Sequence, residues 1–173
     1  SEKRLVGAST ITQQVAKNFL LTNEVSLDRK LKEAILAFRI DRAMSKGRIL
    51  ELYLNEIYLG MGSYGVAAAA LNYFDKSLDD LTIHEAAFLA GLPKAPNNYH
   101  PLRNPRAAVL RRNYVIGRML EDGYISATAA IEARNSPLVS RKRSQTLSAR
   151  AEFFVEEVRR ELKAQFGEKK LYG

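Results

Sequence analysis

Hydrophobic positions recur at three- and four-residue spacing along most of this 173-residue chain, which is the period of an amphipathic α-helix. This period predicts helices over residues 9–21, 27–44, 48–58, 66–74, 82–92, 104–123, 126–136 and 149–166. No stretch alternates between apolar and polar residues as a half-buried strand does. The pattern therefore predicts an all-α domain with a helical tail.

The first three predicted helices each carry an apolar stripe, as helices that pack on a core do. The stripe of the first comprises Ile11, Val15 and Phe19, and that of the second Leu27, Leu31, Ile35 and Phe38. In the third helix we interpret the stripe as the buried face; it comprises Ile49, Leu50, Tyr53, Leu54 and Ile57.

Capping residues and helix breakers mark where these helices begin and end. Thr10 with Gln13 and Thr82 with Glu85 have capping-box spacing, and Ser126 is a further predicted N-cap. Asn104 is predicted as the N-cap of the next helix, with Pro105 at its first helical position. We interpret Gly47 as the break between the second and third helices.

Three segments between the helices have the composition of turns and loops. Gly60, Gly62 and Gly65 predict a tight turn in which the backbone approaches backbone or ligand. Residues 93–101, PKAPNNYHP, predict an irregular loop rather than a helix or strand, and residues 138–147 predict a polar, basic linker.

The composition narrows the possible chemistry. There is no Cys, which excludes a disulfide scaffold, a thiolate zinc site and a Cys nucleophile. Lys and Arg number 27 against 19 Asp and Glu, so the formal charge is +8 and an anionic partner is expected. Composition alone leaves nucleic acid, an acidic membrane surface and a phosphate-bearing substrate as alternatives.

One face of the first predicted helix is polar. Ser9, Gln13 and Lys17 step by four residues and share that face, which Gln14 and Asn18 widen. These hydroxyl, amide and ammonium groups would suit an anionic or sugar-like ligand. The spacing is equally consistent with an ordinary solvated face.

The second predicted helix begins with a cluster of charges. Arg29 and Glu33 are four residues apart, as in a surface ion pair that contributes about 0.3–0.5 kcal/mol. The alternative is a Glu that neighbouring cations keep ionised beside a phosphate site. His84 and His100 stand far apart with no acidic residue at metal-ligand spacing, so we expect no metal site.

Four sequence motifs in order are more specific than these spacings. They are GASTITQQVAKN (residues 7–18), RKLKE (29–33), RILELYLNEIYLG (48–60) and YGVAAAALNYFDK (64–76). Together they resemble successive motifs of the family 51 glycosyltransferases, the peptidoglycan polymerase domain of class A penicillin-binding proteins. The similarity extends from residue 6 to about residue 126.

The resemblance implies a lysozyme-like helical domain over residues 1–137, followed by a linker and helix over 138–173 that lead toward a transpeptidase domain. It implies polymerisation of lipid II, with inversion and release of undecaprenyl pyrophosphate, at the outer face of the bacterial cytoplasmic membrane. The implied partners are lipid II, the growing glycan strand, the membrane surface and other cell-wall synthesis proteins, with no nucleic acid. No cofactor is required, although divalent metals stimulate some relatives.

The resemblance also assigns roles to individual residues. Glu33 would be the catalytic acidic residue beside the leaving pyrophosphate. Lys17 and Arg29 would face that group, and Lys30 would support the same region. The cleft for sugar and phosphate would be lined by Ser9, Gln13, Gln14 and Asn18. Glu51, Tyr53 and Asn55, in the motif over residues 48–60, would support the cleft. Gly65 would allow close helix packing beneath it.

The chain departs from the family pattern in two places. The first motif, E-D-x-x-F-x-x-H-x-G, which holds the catalytic base, should precede Gly7 and is absent. No other Glu has that context, including Glu24, Glu56 and Glu85. We therefore expect this chain alone to be inactive and a longer parent to be active. Val25 stands where relatives often have a basic residue.

An alternative of a different class is a non-catalytic helical module whose basic face binds lipid headgroups or a protein partner. The absence of the base favours this alternative. Binding to vesicles with and without lipid II would distinguish the two hypotheses, because a generic lipid-binding module should bind both equally.

Overall fold

The computed structural model of the protein describes residues 9–19 and 27–140, with the side chains of Phe19 and Leu27 left out. Within these ranges the elements are α1 (Ile11–Phe19), α2 (Leu27–Ala43), α3 (Lys46–Glu56), α4 (Val66–Phe74), α5 (Ile83–Gly91), a 3₁₀ turn (Leu92–Lys94), α6 (Pro105–Glu121) and α7 (Ala127–Asn135). The only strand-like pairing there is an isolated bridge between Tyr58 and Tyr64. The all-α prediction is confirmed. Glu24, Val25, the predicted linker beyond residue 140 and the predicted helix 149–166 lie outside the described residues.

Side-chain caps begin several of these helices. Gln13 N–H donates to Thr10 Oγ1 at 3.2 Å, and Thr10 N–H donates to Gln13 Oε1 at 2.9 Å, which confirms the first capping box. The second, between Thr82 and Glu85, is also present. Ser126 Oγ caps α7 by accepting a hydrogen bond from Ala129 N–H at 3.2 Å.

Two predicted boundaries were wrong. The third helix begins at Lys46, so Gly47 lies inside it rather than before it. Ser45 Oγ accepts a hydrogen bond from Arg48 N–H at 3.2 Å, and this N-cap outweighs the low helix propensity of one glycine in the first turn. The predicted loop at 93–101 begins with the 3₁₀ turn, because Ala95 N–H donates to Leu92 C=O and closes that turn at 3.0 Å.

Helices α1, α2 and α3 pack around one small core. Its buried members are Val15, Ala16, Ala37, Ile40, Ile49 and Tyr53. The stripe predicted for α2 does not join it: Leu31, Ile35 and Phe38 are 61%, 49% and 57% exposed. Helix α2 turns a different face to α1 and α3, and Leu50 of α3 is likewise 44% exposed.

A second core forms beneath the glycine-rich turn. Tyr73, Phe74 and Phe88 meet there, with the rings of Tyr73 and Phe88 edge to face at 5.4 Å. The Tyr73 hydroxyl donates to Leu59 C=O at 2.8 Å, and burial raises the pKa of Tyr73 to about 12. Gly65 has φ +81°, and a Cβ there would lie 2.4 Å from Asn55 C=O, so this turn passes directly against the end of α3.

Buried Arg112 joins α6 to the end of α7. Its Nη1 donates to Ser136 C=O at 2.6 Å, its Nη2 to Arg134 C=O at 2.9 Å, and its Nε to Asn113 Oδ1 at 3.0 Å. The guanidinium thereby satisfies carbonyls at a helix C-terminus, which have no partner within the helix. Only 1% of the residue is exposed. Beyond α7, Ser140 Oγ still donates to Tyr73 C=O at 3.0 Å.

We predict that Arg112→Met lowers the free energy of unfolding by about 3 kcal/mol, since it leaves buried carbonyls without donors. Urea denaturation followed by circular dichroism measures this. Arg118→Met is the matched control on the same helix, because Arg118 is half exposed and pairs with Glu121 and Asp122 at the surface. Arg118→Met should lower the free energy of unfolding by less than about 1 kcal/mol. Equal losses in the two variants would contradict the prediction.

Candidate functional site

A polar cleft of about 410 Å³ lies between α1 and α2. It is lined by Ser9, Gln13, Gln14, Lys17, Arg29, Lys30, Glu33 and Lys94. The structure thus brings together seven of the eight residues that the sequence placed in the site. Three of them, Lys17, Arg29 and Lys30, are cations from two different helices.

Glu33 is the acidic centre of this cleft. Its Oε1 accepts from Arg29 Nη1 at 2.5 Å, and its Oε2 accepts from Lys30 Nζ at 2.7 Å. Lys30 Nζ also lies 3.5 Å from Ser9 Oγ, which connects the pair to α1. Glu33 is only 1% exposed, so the pair with Arg29 is not the surface ion pair that spacing alone allowed.

The surrounding cations keep Glu33 ionised. The hydrogen bond from Lys30 lowers the pKa of Glu33, and this effect outweighs burial, which acts to raise it. The charges of Lys30, Arg29 and Lys17 lower it further. A carboxylate with a lowered pKa and both oxygens paired is a poor proton donor or acceptor. Its geometry suits holding Arg29 and Lys30 in position.

Lys94 is a cleft residue that the sequence analysis missed. It follows Pro93 at the end of the 3₁₀ turn and is exposed where it reaches the cleft. It lies 61 residues beyond Glu33 in sequence, so no helical spacing relates the two. The signal that could have indicated it is a lone cation between two prolines in a predicted loop.

Asn18 does not line this cleft. It lies with Val15, Leu52 and Glu56 around a separate cavity of about 230 Å³ between α1 and α3. One residue advances a helix by about 100°, so Asn18 is turned away from Lys17 toward α3. Asn18 is therefore not among the residues that line the polar cleft, and its predicted contact with the sugar and phosphate stays a prediction.

Glu85 and the residues of the motif over 48–60 do not line the cleft. Glu85 accepts from Lys76 Nζ and caps α5; although burial acts to raise its pKa, the hydrogen bonds from Lys76 and Thr82 hold it below the usual value. Tyr53 is buried in the core of α1–α3, and Glu51 pairs with Arg48 at the surface. Among the described residues, no cluster of three His, Asp or Glu side chains could hold a metal ion.

The transglycosylase family pattern matches residues 1–120 of this chain. The chain belongs to the transglycosylase family. Penicillin-binding protein 1A of Rickettsia felis is 58% identical over 160 residues, which cover 92% of this chain and 20% of that protein. The protein of the same name from Neisseria flavescens is 49% identical over 162 residues, 94% of this chain and 20% of that protein.

A solved structure supports the same family membership. The crystal structure of penicillin-binding protein 1A from Haemophilus influenzae superposes with a TM-score of 0.55 and 37% identity over 96% of this chain. This chain spans about a fifth of the length of these relatives. The family expected from the motifs and the all-α, lysozyme-like fold class are confirmed.

We predict that Glu33→Gln makes stability less sensitive to acid. Because the pKa of Glu33 is lowered below 4.5 in the folded state, its stabilising contribution is complete above that pH. That contribution is lost as the pH falls through the lowered pKa. The wild-type urea midpoint should therefore fall more steeply than that of Glu33→Gln between about pH 5 and pH 3.

Glu51→Gln is the matched control for this comparison, since Glu51 is exposed and pairs only across one turn of α3. Its pH profile should run parallel to that of the wild type. A Glu33→Gln profile that also runs parallel would show that the buried carboxylate is not the group that titrates.

Proposed function

We propose that this chain carries the pyrophosphate-binding part of a peptidoglycan glycosyltransferase that polymerises lipid II, within a longer protein. The observation that carries the proposal is the convergence of Lys17, Arg29, Lys30 and Lys94 on one cleft around an ionised, buried Glu33. Membership of the transglycosylase family and similarity to proteins named penicillin-binding protein 1A support the same activity.

In the proposed reaction, the 4-hydroxyl of the acceptor N-acetylglucosamine attacks C1 of the donor N-acetylmuramic acid. The new C1–O bond forms as the bond from C1 to the pyrophosphate oxygen breaks, and its electron pair leaves on undecaprenyl pyrophosphate. The hydroxyl proton goes to a base that the resemblance places in the first family motif, which precedes Gly7 in the family pattern. Attack opposite the leaving group inverts the anomeric configuration.

The cations of the cleft act on the leaving group. Negative charge builds up on the pyrophosphate as the bond breaks, and fixed positive charges at that place stabilise the transition state more than the ground state. The Arg29 guanidinium offers a planar fork of donors, whereas Lys17, Lys30 and Lys94 act as point charges. Glu33 is then a positioning residue, because it holds Arg29 and Lys30 rather than exchanging a proton.

We predict that Lys30→Met weakens pyrophosphate binding by this chain about tenfold, since a charge-assisted hydrogen bond to the pyrophosphate contributes about 1.4 kcal/mol. Isothermal titration calorimetry with inorganic pyrophosphate at low salt measures this. Lys32→Met is the matched control two residues away, because Lys32 pairs with Asp28 and does not line the cleft. The control should stay within about twofold of the wild type. Failure of the wild type to bind pyrophosphate would refute the proposed function.

We further propose that the domain works at the outer surface of the bacterial cytoplasmic membrane, where its lipid-linked substrate lies. Support comes from the exposed apolar side chains of Leu31, Ile35 and Phe38 on α2 and from cations beside them. The Arg42 guanidinium lies 4.4 Å from the centroid of the Phe38 ring, and the chain carries a net charge of +8. Apolar groups beside cations suit the surface of an anionic bilayer. No helix among the described residues is long and apolar enough to cross a bilayer.

We predict that Phe38→Ser reduces flotation of the chain with phosphatidylglycerol-containing vesicles by about fivefold, because it removes an apolar group that would insert among the headgroups. Leu78→Ser is the control, since Leu78 is 47% exposed but lies on the connection between α4 and α5. Adding lipid II to the vesicles should strengthen binding further. Binding that ignores lipid II would favour the non-catalytic lipid-binding module.

A further inference from the structure

The first turn of α1 is held by polar contacts to two separate points on α2. Lys30 Nζ lies 3.5 Å from Ser9 Oγ, and Thr12 Oγ1 donates to Asp41 Oδ1 at 3.0 Å. Lys30 and Asp41 are eleven residues apart, which is about 16 Å along the axis of α2. The contact with Ser9 is at the long limit of hydrogen bonding, whereas that with Thr12 has an ordinary length. The pair of Thr12 and Asp41 is therefore the closer attachment.

The hydroxyl of Thr12 is held from inside the helix bundle. Thr12 is 6% exposed, and a buried hydroxyl needs a hydrogen-bond partner. The same oxygen of Asp41 also accepts from Lys46 Nζ at 2.7 Å, and the hydrogen bonds from Lys46 and Thr12 lower the pKa of Asp41. Asp41 is thus ionised at neutral pH, and an ionised acceptor forms the stronger kind of hydrogen bond.

Helix α1 depends on such contacts for its orientation. It has nine residues, and helices this short are only marginally stable without tertiary contacts. Its buried apolar residues Val15 and Ala16 pack in the small core, but hydrophobic packing is non-directional. The hydrogen bond from Thr12 to Asp41 is directional, so it restrains the rotation of the first turn about the helix axis.

That rotation matters for the cleft. Thr12 directly precedes Gln13 and Gln14, which line the cleft, and Gln13 Oε1 is fixed to the same turn by Thr10 N–H at 2.9 Å. Side chains extend about 5–6 Å from a helix axis, so a rotation of about 20° would move their ends by about 2 Å. Misplacement by about 1 Å can weaken a precise site up to about a hundredfold.

We propose that Asp41 is a positioning residue for the anion site in the cleft. Through Thr12 it sets where the first turn of α1, with Ser9 and Gln13, lies against the cations of α2. Asp41 is not among the residues that line the cleft, and it follows Glu33 by eight residues, about 12 Å along α2. It therefore acts through α1 and not by contact with the ligand. This inference rests on the proposed function.

The test separates this role from the charge of Asp41. Inorganic pyrophosphate is titrated by calorimetry, at low salt, into the wild type, Asp41→Ala and Asp41→Asn. Removing a carboxylate near a cationic cleft should by electrostatics alone strengthen anion binding. Asp41→Ala should nevertheless weaken it about fivefold, because Thr12 loses its acceptor. Asp41→Asn, which keeps an oxygen for Thr12, should bind as tightly as the wild type or more tightly.

Two substitutions of Thr12 test the same contact from α1 without a change of charge. Thr12→Val removes the donor and should also weaken binding about fivefold, whereas Thr12→Ser keeps the hydroxyl and should stay within about twofold of the wild type. Because both residues act through one hydrogen bond, Thr12→Val combined with Asp41→Ala should bind no more weakly than either alone.

Tyr73→Phe is the control for a general loss of stability. It removes the buried hydrogen bond to Leu59 C=O in the second core, and pyrophosphate affinity should stay within about twofold of the wild type. All titrations are made where circular dichroism shows the variants folded.

An unchanged or tighter affinity in Asp41→Ala, or an equal loss in Tyr73→Phe, would overturn the inference and leave the proposed function standing. Absence of pyrophosphate binding by the wild type would overturn both.

Discussion

The buried carboxylate of Glu33 is the interaction on which the arrangement of the site depends. Four cations reach the same cleft, and without an anion between them their mutual repulsion would drive Arg29 and Lys30 outward into water. Glu33 binds both at 2.5 and 2.7 Å while it is itself shielded from solvent. Breaking such a buried pair from one side is costly, because it leaves uncompensated charge. The fold therefore depends on the same contacts that prepare the cleft for an anion.

A second carboxylate, about two turns further along α2, also attaches this helix to α1. Asp41 Oδ1 accepts from Thr12 Oγ1 at 3.0 Å and from Lys46 Nζ at 2.7 Å, and these two hydrogen bonds lower the pKa of Asp41. The three residues belong to α2, α1 and α3. Helix α1 is thus attached to α2 at Glu33 through Ser9 and Lys30, and again at Asp41 through Thr12. Both attachments lie at the N-terminal end of α1, so they hold that end of the helix against α2.

Much of this site could be predicted because its main members are close in sequence. Four-residue spacing placed Ser9, Gln13 and Lys17 on one face and Arg29 beside Glu33, and both relationships are geometric properties of any α-helix. What spacing could not give was burial. The spacing allowed Glu33 to be either a member of a surface ion pair or a buried carboxylate that neighbouring cations keep ionised. Only the packing of α1 on α2 decides between these two alternatives.

The predictions that were wrong depended on which partner each helix finds. The Leu31, Ile35 and Phe38 stripe has the period of a buried face, but α2 packs through Glu33, Ala37 and Ile40 instead. Because one residue of this buried face is acidic, apolar residues at helical spacing do not indicate which face is buried. Lys94 was missed for a related reason, since a loop residue far along the chain reaches the cleft only through tertiary structure. The break at Gly47 was wrong because a local N-cap at Ser45 decided the boundary.

Adjacent arginines on α6 hold the C-terminal ends of two neighbouring helices, α5 and α7. Arg112 points inward and holds the end of α7, whereas Arg111, about 100° around the helix, holds Gly91 C=O. Gly91 is the last residue of α5, directly before the 3₁₀ turn that ends at Lys94. Arg111 thus supports the position of Lys94 in the cleft, and its guanidinium also lies over the rings of Tyr99 and Tyr114. A change at Arg111 therefore reaches the cleft through Gly91, whereas a change at Tyr114 leaves the contact between Arg111 and Gly91 intact.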